Sequence, residues 1–288
     1  QKARVLVDGL EILRGFVQVL GSPPLADELV LWLRRSLWGN RVDLSNITVD
    51  MSYSHSVHGQ DDPRLLVDDT SLVRERFLSG TIKQLDWIAD NSGLELLSDL
   101  GMIDFVLEHE LVSRVRLHLK KQPFFVSDAM IKDVMASIDA LSRDTSTTLR
   151  AIGQRLDGQM KRGRLVLTDH PFWTSCLFFT LFPGELRRQL AHADMLLLKG
   201  DANYRRLVQD RHWPTTTRMA DITAYMPAPF LVMRTLKSEI MIDLAPGRAE
   251  ALASEDPDWL INGDRGLVQY VSGDNVQGGP KQPPEVSG

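Results

Sequence analysis

The chain has 288 residues, 43 % hydrophobic and 25 % charged, a globular composition that excludes a mostly disordered polypeptide. A net charge of -5, with no basic stripe or lysine-rich tail, excludes an electrostatic footprint for nucleic acid or an anionic membrane, so bound phosphate must be held by local groups. The single Cys176 excludes an internal disulfide and a thiolate metal cluster, and it fits a reducing, cytoplasmic or nuclear location.

Gln1 to Arg4 lack an initiator Met and an apolar signal core, and no apolar run reaches the length of a membrane span. The expectation is a soluble chain that is a fragment of a longer one. Val5, Leu6, Leu10, Leu13, Phe16 and Val17 recur at helical spacing, and Glu28 to Leu37 repeats the pattern after the breaker Ser22-Pro23-Pro24. Two helices therefore begin the chain. Ser52 to Asp69 is polar and reads as a surface loop.

From Gln84 onward short apolar runs alternate with longer amphipathic ones. Leu85 to Ala89 reads as a strand and Gly93 to Leu107 as a helix. Arg114 to Leu119 and Phe124 to Val126 read as strands, and Ala129 to Leu141 as a helix. A helix at Thr147 to Lys161, a strand at Leu165 to Thr168 and a helix around Glu185 to Ala193 continue the series. The strand Met195 to Leu198 follows, and Phe230 to Met233 reads as the last core strand. Parallel strands need crossover connections and bury both faces, so the expected fold is a three-layer α/β/α sandwich with a mostly parallel sheet, preceded by a helical segment. The expected division is a helical segment and loop at 1–70, the α/β/α domain at 71–271 and a flexible tail at 272–288, poor in apolar residues.

Polar clusters follow the predicted strands, where ligands bind in open parallel sheets. They are Asp90-Asn91-Ser92-Gly93-Leu94-Glu95, Ser127-Asp128, Lys199-Gly200-Asp201-Ala202-Asn203-Tyr204-Arg205 and Arg234-Thr235-Leu236-Lys237. Taken singly, each Asp reads as a helix N-cap and each cation as a solvated side chain. Taken together, carboxylates and a carboxamide are hard oxygen donors suited to magnesium or manganese, and Arg205 and Lys237 could neutralise a phosphoryl group.

Weaker candidates are Asn40 and Asp43, explained as well by a capped helix end, and His55 and His58, read as a solvated loop. His170, before Pro171-Phe172-Trp173, reads as part of an aromatic packing cluster. The chain has no Gly-x-Ser-x-Gly elbow and no Walker loop, and its first strand is followed by one glycine where dinucleotide binding wants three.

The four clusters, with Phe125-Val126-Ser127-Asp128 in full, resemble the damage-control phosphatase family, long called domain of unknown function 89. Leu37-Trp38-Gly39-Asn40 and Asp201 through Arg211-His212-Trp213-Pro214 resemble its subfamily III. The resemblance runs from about Trp32 to Tyr270, and family members of this type carry a longer helical segment before it. It implies that Asp90, Asn91 and Asp128 are catalytic and hold a divalent metal ion, most often manganese, with nickel, cobalt or magnesium as alternatives. It also implies that Asp90, Asn91, Glu95, Asp201, Ala202, Asn203, Tyr204, Arg205 and Lys237 contact a small phosphorylated sugar. Ala202 departs from the larger apolar residue usual there. The activity implied is hydrolysis of sugar phosphates such as fructose 1-phosphate and fructose 6-phosphate. The rival readings are a protein carboxyl methyltransferase using S-adenosylmethionine and a noncatalytic sugar-phosphate sensor.

Overall fold

The computed structural model describes residues 2–21, 23–39 and 62–273. Asn40, Asp43, His55, His58 and residues 274–288 lie outside that set. Two helices, α1 (Lys2–Leu20) and α2 (Leu25–Trp38), open the chain. Both bury one apolar stripe, Leu10, Leu13 and Phe16 from α1 and Leu29, Leu33 and Leu37 from α2, as their helical spacing requires.

Beyond them the order is β1 (Leu65–Asp68), α3 (Thr70–Leu78), β2 (Ile82–Ile88), α4 (Leu94–Glu108), β3 (Val112–Lys120), α5 (Ile131–Ser142), α6 (Thr147–Lys161) and β4 (Leu165–His170). Then come α7 (Gly184–Leu190), β5 (Met195–Lys199), α8 (Gly200–Leu207), α9 (Met219–Ile222), β6 (Phe230–Thr235), α10 (Arg248–Glu255) and β7 (Gly266–Val271). The strands form one sheet in the order β1-β7-β6-β5-β2-β3-β4, parallel except where β7 runs antiparallel to β6.

Alternate residues of each central strand enter different cores. Met195 and Leu197 of β5 join α1 to α6 on one face, while Leu196 and Leu198 join α7, α8 and the aromatic group Phe172, Trp173, Phe179 and Phe182 on the other. Both faces of β5 and β6 are covered, which is why these segments read as unbroken apolar runs. The expected α/β/α architecture is the one observed. His170 starts the turn into the aromatic group, with Nδ1 accepting the Phe172 N–H (3.0 Å) and Nε2 3.3 Å from Glu185 Oε1 at the half-exposed surface.

Three element expectations are corrected. Phe124 to Val126 is not a strand but an exposed loop: the N–H groups of Phe124 and Phe125, which a strand would give to a neighbour, donate to Asp128 Oδ2 (2.8 and 2.9 Å). Phe230 to Met233 is not the last strand, because β7 returns beside it. Leu65 to Asp68, inside the expected surface loop, is β1 and pairs with β7. Short strands of this kind carry too few residues for a period-2 pattern to stand out.

The chain runs β2, β3, β4 toward one edge and then returns to lay β5 against the other side of β2. That reversal opens a crevice beyond the carboxyl ends of β2 and β5.

Candidate active site

A cavity of about 480 Å³ occupies this crevice. Its lining includes Asp90, Asn91 and Glu95 after β2, Ser127 and Asp128 after β3, Lys199 to Ala202 and Arg205 after β5, and Thr235 and Lys237 after β6. Leu37 of α2, Phe125 and Met233 supply apolar wall. Sequences far apart in the chain are thus brought to one place by the topology.

The loop after β3 is stitched to the loop after β2. Asn91 and Asp128 form an antiparallel bridge, the Ala129 N–H donates to Asp90 O (2.9 Å), and the Lys120 N–H donates to Ala129 O (2.9 Å). Ser127 Oγ donates to Asn91 Oδ1 (2.6 Å), while Asn91 Nδ2 donates to Asp90 Oδ2 (2.9 Å) and Glu95 Oε2 (3.0 Å). The carboxamide is therefore oriented by three contacts, with its oxygen toward the loop after β3.

No Asp of the site serves as a cap. The N-cap of α4 is Gly93, that of α5 is Met130 and that of α8 is Lys199. Asp201 Oδ1 instead accepts from Arg234 Nε (2.7 Å), the Lys237 N–H (3.2 Å) and Ser238 Oγ (3.1 Å), which ties the turns after β5 and β6 together. The bland reading available from sequence thus does not describe these residues.

Four acids, Asp90, Glu95, Asp128 and Asp201, crowd this end of the sheet. Burial pushes the Asp90 carboxyl up to about 7, and the charges of Glu95, Asp128 and Asp201 add to that push against the opposing pull of Lys120. Such a set is destabilised by its own charge and favours a bound cation. Among the described residues no three His, Cys, Asp or Glu side chains converge as a metal centre. The trio Asp90, Asn91 and Asp128 differs from such a centre in having two carboxylates and a carboxamide, an all-oxygen set suited to a hard divalent ion.

Gly200 shows how closely the parts fit. It has φ +85°, and a Cβ there would stand 2.0 Å from Asp90 Oδ2, so only glycine admits this approach of β5 to the carboxylate.

The α8 helix sorts its own motif by face. Asp201, Ala202 and Arg205 face the cavity, whereas Asn203 and Tyr204, expected to touch substrate, are fully buried away from it. Asn203 Nδ2 donates to Lys199 O (2.8 Å) and Ala89 O (3.3 Å), joining the ends of β5 and β2. Tyr204 lies under the Arg234 guanidinium, 4.1 Å from ring centroid to Cζ. Arg205 is engaged by Asp210, at 2.7 and 2.8 Å. Lys237 is exposed and lines the cavity.

Sequence reasoning missed the support beneath the site. Lys199 is fully buried, and its Nζ bonds Ser36 Oγ (2.9 Å) and Asp99 Oδ1 (3.0 Å) and lies 3.9 Å from Glu95 Oε1. Ser36 Oγ donates to Asp99 Oδ1 (2.6 Å). Burial, with the charge of Glu95 added, pushes Asp99 up to about 6 against the pull of Lys199. The only sequence signal for this network was the position of Lys199 at the end of an apolar strand.

A family model described as the damage-control phosphatase ARMT1-like domain matches residues 8–252. The chain belongs to this family. It is 36 % identical over 265 residues to the damage-control phosphatase ARMT1 of Danio rerio, covering 86 % of this chain and 59 % of that protein. The protein of the same description from Homo sapiens is 32 % identical over 269 residues, covering 88 % and 61 % respectively. The chain thus spans about three fifths of the length of these relatives. The crystal structure of a DUF89 family protein from Pyrococcus horikoshii superposes with a TM-score of 0.53 at 15 % identity, covering 93 % of this chain and 73 % of that one, a likeness of fold. Among the described residues no helix is long and apolar enough to cross a membrane.

Proposed function

We propose that this ARMT1-like domain is a divalent-metal-dependent phosphomonoesterase acting on sugar phosphates such as fructose 1-phosphate and fructose 6-phosphate. The observation that carries the reading is the convergence of Asp90, Asn91 and Asp128, with Lys237 opposite, in the crevice between β2 and β5. Asp90, Asn91 and Asp128 would hold the ion, manganese by preference or nickel, cobalt or magnesium. When bound it supplies a Lewis acid for a phosphoryl oxygen.

The chain's own residues then divide the remaining work. Glu95 and Ser127 keep the Asn91 carboxamide oriented, which lowers the reorganisation needed when charge develops. Lys237 neutralises phosphate, and Arg205, held by Asp210 at the rim, meets it or a sugar hydroxyl. Asp201, fixed by Arg234, keeps one oxygen for a sugar hydroxyl, with Ala202 beside it. Leu37 and Phe125 narrow the space around the ester and limit the entry of water. The attacking group is either water or the Asp90 carboxylate, and acid-quench trapping of a phosphoenzyme separates the two. A methyltransferase reading gains no support here, because the acidic crowd after β2 repels a carboxylate-bearing cofactor.

A phosphatase screen of metals against sugar phosphates tests the reading. The expected outcome is phosphate release that requires an added divalent ion and is abolished in Asp128→Ala. Release at the parent rate by that variant, shown to be folded, would remove Asp128 from the site.

A further inference from the structure

Most cations near the cavity already have partners. Arg205 pairs with Asp210, Arg234 with Asp201, and Lys199 with Asp99 and Ser36. Two ammonium groups do not: among the described residues, neither Lys237 Nζ nor Lys120 Nζ has a hydrogen-bond or ion-pair partner. Lys237 is exposed, but Lys120 is only 6 % exposed.

Lys120 closes β3 at a decisive place. Its N–H donates to Ala129 O, and the Ala129 N–H donates to Asp90 O, so this strand end is fastened to the residue next to Asp128 and through it to the end of β2. Its charge acts on Asp90 and Asp128, the two carboxylates of the candidate metal set. Arg206, a second buried cation nearby, donates only to the carbonyls of Leu177 and Phe172 and stacks on Phe172 and Phe179, so it brings Lys120 no compensating anion.

A buried ammonium without a partner is costly, and the cost grows in the working state. A divalent ion held by Asp90, Asn91 and Asp128 would cancel the two carboxylate charges that act on Lys120. A phosphate monoester carries a charge of about −1.5 to −2 near neutral pH. Its dianion balances Lys120 and Lys237 together.

We propose that Lys120 is a phosphate-binding residue of this site, forming with Lys237 the pair of cations that receives the phosphate of the ester and the inorganic phosphate product. The assignment rests on the phosphatase reading above. Lys237 lines the cavity on the β6 side, whereas Lys120 ends β3 outside that lining and would meet the phosphate by extending toward Asp90 and Asp128, whose charges act on it.

The test compares the parent chain with Lys120→Gln, Lys120→Met and Lys120→Arg in three measurements. They are orthophosphate binding to the manganese-saturated chain by calorimetry, manganese binding without phosphate, and p-nitrophenyl phosphate hydrolysis. Loss of one charge-assisted bond predicts orthophosphate binding weaker by about 10- to 100-fold in the Gln and Met variants, with most of it restored by Arg. Manganese binding is expected to hold or tighten, because a positive neighbour has been removed. The proposal is overturned if folded Lys120→Gln binds orthophosphate as the parent does. It is also overturned if manganese binding collapses, since Lys120 would then act on the ligands themselves. Should the parent hydrolyse no ester while orthophosphate binding still depends on Lys120, the phosphatase reading fails and the phosphate assignment stands.

Discussion

Asp128 performs two tasks with one carboxylate. Its Oδ2 holds the N–H groups of Phe124 and Phe125, and the carboxylate also lines the cavity beside Asn91. An Asn at this position keeps a carbonyl acceptor for the loop but loses the charge. Asp128→Asn is therefore expected to retain near-parent stability while losing divalent-ion affinity by at least about 10-fold, whereas Asp128→Ala loses both. Thermal melts beside metal titrations check this, and equal metal affinity in Asn and parent would refute it. Gly200→Ala makes a complementary case. The strained φ and the clash with Asp90 predict destabilisation of about 1–3 kcal/mol in urea unfolding, together with loss of phosphatase activity.

At the scale of elements, the N-terminal helices are joined to the site by polar as well as apolar contacts. Ser36 of α2 gives its hydroxyl to Asp99 of α4 and accepts from Lys199 of β5, so Ser36→Ala leaves two buried charged groups short of a partner. The expected cost is about 1–3 kcal/mol by urea unfolding, and a change within error would show the network to be dispensable. Between α4 and α6, Asp104 is bonded by Arg155, yet burial outweighs that partner and pushes its carboxyl up to about 6. The folded chain then binds this proton more tightly than the unfolded chain does. The group's stabilising contribution is full below about pH 4 and declines as pH rises through about 6. Asp104→Asn is expected to gain on the parent in stability between about pH 4 and about pH 7, and a constant difference across that range would contradict the sign.

At the scale of the whole molecule, α1 and α2 have no separate core. Leu10, Leu13, Phe16, Leu29 and Trp32 pack in the same cluster as Leu85, Trp87, Leu117 and Leu197 of the sheet. Gly101 of α4 leaves room for the Trp32 ring, which would meet a Cβ there at 2.2 Å. The helical segment and the α/β layers should therefore unfold together. Fluorescence from the buried tryptophans, Trp32 and Trp38 in α2 and Trp87, Trp173 and Trp259 in the sheet half, is expected to track far-UV circular dichroism in one transition. Two resolved transitions would mean that the segment folds independently.

Much of this was determined by the sequence alone. Doubly buried strands must be apolar throughout and crossover helices amphipathic, so the alternation from Gln84 onward specified an α/β sandwich, and the polar residues ending those runs marked one edge of the sheet. The four-residue β1 was too short to read, β7 was hidden behind a turn-rich stretch, and the Phe124 to Val126 run looked like a strand because its apolar side chains, not its backbone partners, were visible. Strand order was decided only by tertiary structure, because pairing β5 with β2 depends on contacts between residues far apart in sequence. That pairing brought Asp90, Asn91 and Asp128 to Lys237, while helix periodicity turned Asn203 and Tyr204 inward and the pairing of β3 with β2 set the partnerless ammonium of Lys120 near the carboxylates.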